Sequence, residues 1–134
     1  MTMTARDIAA YRATCLSLPG GEILNRYTDE VAAAVCNGVG AAWTDMVAPY
    51  ASGILNRALP WAVAPSIIHD LRYHEGVGGK SGRAEADVLF LAGCLNCIDD
   101  ETRWPWTRWW RAHRALDLYL IVRKHGRYAW EGKS

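Results

Sequence analysis

His69 is followed directly by Asp70 and, four residues on, by Tyr73, in the run Ser66-Ile67-Ile68-His69-Asp70-Leu71-Arg72-Tyr73. A second apolar segment, Arg83-Ala84-Glu85-Ala86-Asp87-Val88-Leu89-Phe90, supplies another carboxylate. An imidazole with an acid to orient it is the raw material of a general base. On a helix, His69 and Tyr73 share a face, whereas Asp70 points about 100° away. Asp70 is therefore badly placed to hold its neighbour's ring and better placed to meet a cation at the helix edge. Asp87, arriving from a facing helix, could bind the proton of one ring nitrogen and leave the other to accept a proton from water. A hard cation on Asp70 would polarise a carbonyl and stabilise the oxyanion formed by attack, giving a hydrolase without a serine. The same His69–Asp87 contact also suits a structural role, a buried hydrogen-bonded pair that holds two helices together.

Two other constellations carry chemistry-bearing residues. His69 and His74 upstream and Cys94 and Cys97 downstream are nominally a tetrahedral zinc set. Histidines five apart on one helix diverge, however, and the two cysteines lack a knuckle turn, so all four cysteines are read as small buried hydrophobes. The run Arg103-Trp104-Pro105-Trp106-Thr107-Arg108-Trp109-Trp110-Arg111 interleaves indole and guanidinium groups. Trp104, Trp106, Arg108, Trp110 and Arg111 are the candidate surface for an anionic membrane or a protein partner. Stacking on nucleic acid is the weakest of these readings. Trp109, in step with Ala112 and Leu116, is expected in the core.

Helices must position these groups. Thr4 and Asp7 resemble a capping box opening a first helix that Pro19-Gly20-Gly21 stops. From Glu22, the residues Ile23, Tyr27, Val31, Ala34 and Val35 predict one face of a second helix, ended by Asn37-Gly38. Trp43 to Pro65 reads as a proline-broken loop, with room for a small hairpin near Trp43 or across Gly76 to Gly82. A third helix is expected from Pro65-Ser66 through Glu75. A fourth runs from a Ser81 cap to about Cys97, with Ala84, Val88, Leu91 and Leu95 on one stripe and Asp87, Phe90, Leu91 and Cys94 on another. Asp99-Asp100-Glu101 and Pro105 read as a broken connection. A long amphipathic helix follows, through Trp109, Ala112, Leu116, Tyr119, Leu120 and Arg123, with Gly126 as its cap. The expected fold is mainly α: a single small domain of about five helices, residues 1–134, in which an antiparallel pair carries the His/Asp site.

At 134 residues the chain is long enough to bury a core without disulfides, and 51% hydrophobic against 22% charged residues is the composition of a globular protein. No apolar run is long enough for a membrane span, and the first residues lack the basic and apolar regions of a secretory signal. The net charge of +1 conceals an asymmetry. Residues 1–102 carry seven basic and twelve acidic side chains, whereas residues 103–134 carry eight and two. An anionic partner for the basic part, or attraction between the two parts on folding, would account for the split.

The pattern His69-Asp70-x-x-Tyr73 followed by Arg83-x-x-Ala86-Asp87-x-x-Phe90 resembles the His-Asp helix and the Asp-bearing second helix of the phospholipase A₂ superfamily, nearest its compact prokaryotic and fungal type. The wider run from Thr44-Asp45 through these helices to Val122-Arg123-Lys124-His125-Gly126 and Trp130 resembles a small family of phage and prophage proteins of unknown function. The likeness spans residues 43–130 and leaves 1–42 outside it. It implies a calcium-dependent lipid esterase with His69 as general base, Asp87 as its orienting partner, Tyr73 as hydrogen-bonding support, and Asp70 with Asp45 as calcium ligands. The alternative it implies is a virion-associated or host-interaction protein that keeps the scaffold and binds a protein through its Trp/Arg surface. Either would be made in the bacterial cytoplasm. The glycine-rich calcium loop of the animal enzymes has no counterpart here, since Gly53 is the only glycine between Trp43 and His69.

Overall fold

Each helix begins and ends where backbone chemistry requires it, in a computed structural model that describes residues 3–37, 59–128 and 130. Thr4 caps α1 (Ala5–Ser17): its hydroxyl accepts from the Asp7 amide at 3.1 Å, and the Asp7 carboxylate accepts from the Thr4 amide at 2.9 Å. The single helix expected from Glu22 is divided into a 3₁₀ turn, Gly21–Arg26, and a helix α2 at 29–37. Arg12 gives the physical reason. Its guanidinium donates to the carbonyls of Leu24 and Tyr27, both at 2.8 Å, and to the Asp29 carboxylate at 2.9 Å, so the carbonyls a continuous helix would use are taken. Restarting after Thr28 rotates α2, which buries Ala32, Ala33 and Cys36 and turns Val31 and Ala34 outward, contrary to the expected stripe.

A short 3₁₀ turn, Pro60–Ala62, leads into α3 (Val63–Glu75). Pro65 lies in the first turn, where its missing amide costs nothing, and Gly76 ends the helix in the left-handed conformation at φ 60°. Helix α4 (Gly79–Glu101) is longer than expected at both ends. Gly78, at φ 96°, makes the turn tight enough for the helix to start before Ser81. Asp99, Asp100 and Glu101 complete the last turn with solvent-facing side chains instead of forming a loop. The two helices pack antiparallel. Pro65 lies against Gly93, where a Cβ would stand 3.2 Å from the proline ring, while His69 meets Asp87 nearer the turn. Of the two α4 stripes expected, the one through Asp87, Phe90 and Cys94 is buried, and Val88 and Leu95 of the other face solvent.

The last helix, α5 (Pro105–His125), packs on α4, and a 3₁₀ turn, Gly126–Tyr128, follows it. Its inner face is Ala115, Leu118 and Val122, not the expected stripe. Trp109, Leu116 and Leu120 are exposed because Arg111 and Arg123, held by partners on the inner side, fix the rotation of the helix. The core tryptophans are Trp61 and Trp130. One core joins the five helices of the described residues, and its four cysteines are free thiols. Burial, the largest effect on each, pushes all four up, Cys15 to about 12 and Cys97 to about 11. No strand occurs among the described residues, so Gly76 to Gly82 forms no hairpin; the Trp43 region lies outside them. No described helix is long and apolar enough to cross a membrane.

Candidate functional site

Asp87, fully buried on α4, is the point where three helices meet. From α3, His69 Nε2 lies 2.8 Å from Asp87 Oδ1, and the Tyr73 hydroxyl donates to the same oxygen at 2.6 Å. From α5, Arg123 donates to Oδ2 at 2.7 Å. The spacing explains the convergence, since His69 and Tyr73 are one helical turn apart and reach one acceptor on the facing helix. Burial pushes the Asp87 carboxyl up, but the bonds from His69, Tyr73 and Arg123 outweigh it and hold the group below its ordinary value. Asp87 is accordingly a carboxylate. A carboxylate there favours the imidazole tautomer with its proton on Nε2.

Aromatic rings fix the imidazole further. His69 lies against Tyr73 with ring centroids 4.1 Å apart and against Phe90 at 5.2 Å, while Trp130 meets Tyr73 edge-on at 5.2 Å. Burial, then the bond and charge of Asp87, push the Tyr73 hydroxyl far up, so it remains a donor. Gly126 makes room for that hydroxyl: a Cβ there would stand 2.5 Å from it. Arg83 clamps the assembly from α4, donating to the carbonyls of Arg123 at 2.7 Å and Val122 at 3.3 Å at the end of α5.

The structure thus brings His69, Tyr73 and Asp87 together, and adds Arg123 and Gly126, which the sequence reading placed on the last helix and at its cap but not in the site. A signal for Arg123 existed: it falls among apolar residues on the repeat of the last helix, and an arginine turned toward a core requires a buried acceptor. Asp70, one residue along α3, points away from the cluster's hydrogen bonds and is buried. No donor among the described residues reaches its carboxylate, and burial raises its pKa well above the ordinary value. Asp70 alone could supply a cation with one carboxylate, whereas calcium takes roughly six to eight oxygens. Among the described residues no three His, Cys, Asp or Glu side chains come together, so His69, His74, Cys94 and Cys97 do not assemble as a zinc set. Asp45 lies outside the described residues.

At the start of α5, Trp104, Trp106 and Trp110 are exposed, as is Trp109. Arg108 and Arg111 turn back to the buried Thr102, donating to its carbonyl at 2.9 Å and its hydroxyl at 2.8 Å. They brace the α4–α5 junction. Set beside known families, curated proteins and solved structures, the chain finds no match in any of the three comparisons.

Proposed function

We propose that the protein hydrolyses carboxylic esters of phospholipids, with His69 as the general base. What carries this reading is the double occupation of Asp87 Oδ1 by His69 Nε2 and the Tyr73 hydroxyl, with Arg123 on Oδ2. A carboxylate held ionised by three donors fixes one imidazole tautomer and stabilises the imidazolium that follows proton uptake. His69 removes a proton from water as the water oxygen bonds to the ester carbonyl carbon. The carbonyl electron pair moves to oxygen and returns to expel the alkoxide, which recovers the proton from His69. Asp87 keeps its charge throughout, and Tyr73 keeps Asp87 from rotating toward the ring. Asp70 is the side chain that would hold calcium, which when bound supplies a positive charge for the carbonyl oxygen.

A second reading draws on the burial of the pair, whose side chains are 6% and 0% exposed. Burial of that order suits a hydrogen-bonded scaffold in a phage-type protein that binds a partner. Release of fatty acid from mixed phospholipid vesicles separates the two. The natural chain should release it at least a hundredfold faster than His69→Gln, since a positioned base contributes about 10²–10⁴-fold. Equal background rates from both proteins would leave only the scaffold.

A further inference from the structure

Helix α5 carries a second seam on its outer side. Trp106, Trp109, His113, Leu116 and Leu120 are spaced alternately by three and four residues, the roughly 3.5-residue repeat by which helices pair. Successive residues turn by about 100°, so the five fall within about 80° of arc, opposite Ala115, Leu118 and Val122. The apolar members are exposed, from 43% at Leu116 to 83% at Trp106, and His113 is exposed with them. An amphipathic helix needs one such stripe to meet its own core, and α5 has two. Trp109 and His113 already lie with ring centroids 4.2 Å apart, so part of the outer seam is ordered in the single chain.

We propose that this seam pairs with the same seam of a second copy of the chain, antiparallel and about a twofold axis. In that register Trp109 of one helix packs on Leu120 of the other and His113 on Leu116, each contact made twice. Large rings thus oppose smaller leucines, whereas a parallel pairing would set Trp109 on Trp109 and His113 on His113. Charge points the same way. Arg108, Arg111 and Arg123 are held on Thr102 and Asp87, which leaves Arg114, Asp117 and Lys124 as the exposed charges beside the seam. Arg114 sits 4.9 Å over the Trp110 ring, and Asp117 makes no ion pair among the described residues. Antiparallel pairing brings Asp117 of each copy beside the Trp110–Arg114 pair of the other, so that opposite charges meet at both ends of the seam. The area is of the right order. Trp106, Trp109 and Trp110 alone expose on the order of 400 Å². With His113 and the two leucines, the seam supplies a large part of the about 800 Å² that each partner buries in a stable complex. The pairing does not depend on ester hydrolysis.

Sedimentation velocity of the full chain across a micromolar concentration series tests the pairing. The natural chain should pass from monomer to dimer and no further, because a twofold contact closes on itself. Trp109→Ser/Leu120→Ser should weaken the dimer at least tenfold with helical circular dichroism unchanged, since both side chains lie outside the core. Asp117→Arg should weaken it about fivefold, and Arg114→Asp added to that variant should restore most of the loss. A natural chain that stays monomeric, a serine variant that pairs as tightly as the natural chain, or a double reversal no tighter than Asp117→Arg alone would overturn the proposal.

Discussion

Replacing Gly126 by alanine would put a methyl carbon where the Tyr73 hydroxyl already presses. The backbone offers no objection: Gly126 has φ −68° and ψ −16°, an ordinary right-handed helical conformation. In open space the substitution would stabilise by about 0.4–1 kcal/mol through the unfolded chain. Here the new Cβ would meet Tyr73 Oη at 2.5 Å and the ring carbons Cε2 and Cζ at 3.2 and 3.3 Å. The hydroxyl must retreat by roughly 1 Å to reach ordinary contact. Tyr73 is 1% exposed and abuts Trp130, so its retreat strains the 2.6 Å bond to Asp87. Overpacking costs about 1–3 kcal/mol and a bond to a charged group is worth about 1.5–3. Because relieving one strain sacrifices the other bond, the net loss should be about 2–3 kcal/mol. Tyr73→Phe removes the atom in collision, so Gly126→Ala made in that background should cost about 1–2 kcal/mol less. Urea unfolding of the four proteins measures the coupling. Losses that add to within about 0.5 kcal/mol would refute the Gly126–Tyr73–Asp87 chain of contacts.

Two titrations give further checks. Asp87, held below its ordinary value, adds stability above the unfolded carboxylate pKa of about 3.9 that disappears as pH falls through the lower folded value. Arg123→Met removes one of its three partners while burial still pushes the group up, so the acid unfolding midpoint should move to higher pH. The neutral loss should be about 2–3 kcal/mol, below the figure for fully buried pairs because the Arg123 side chain is 34% exposed. An acid limb identical in both proteins by circular dichroism would contradict this. Asp70 has the opposite sign: its folded pKa is raised, so stability present below about 3.9 is lost as pH rises through the folded value. Asp70→Asn should therefore raise the melting temperature at neutral pH by several degrees, and also abolish any further rise at millimolar calcium. A natural chain indifferent to calcium would sink the metal proposal, and an unimproved asparagine variant the buried charge.

The helical fold was legible because capping and breaking residues act locally. Thr4 with Asp7, Gly76 after α3 and the break at Pro105 each stand where the chain starts or stops a helix. The His69–Asp87 contact was legible for a related reason: a short turn between two helices leaves few ways to pair them. Helix rotation was not legible. Long-range polar contacts decide it, and periodicity carries no record of them. Arg12 reaches across to Leu24 and Tyr27 and resets α2, and Arg111 and Arg123 turn α5 so that Trp109 leaves the core. Arg123 was hidden by the same limit, since its acceptor lies 36 residues earlier in the chain.

The convergence on Asp87 also bears on how the chain is made. During synthesis α3 and α4 emerge first, with His69 and Tyr73 ready to meet Asp87 while Arg123 is still to be added. Until it arrives, closing the helix pair buries a carboxylate without its cation, a penalty of about 2–3 kcal/mol against a total stability of about 5–15 for an ordinary domain. The first two partners therefore have little reason to commit alone, and the last helix acts as the latch of the assembly. A ribosome that stops short of Arg123 would yield a chain whose Asp87 is buried without its cation, so the final turn of α5 serves the stability of the fold as well as its chemistry.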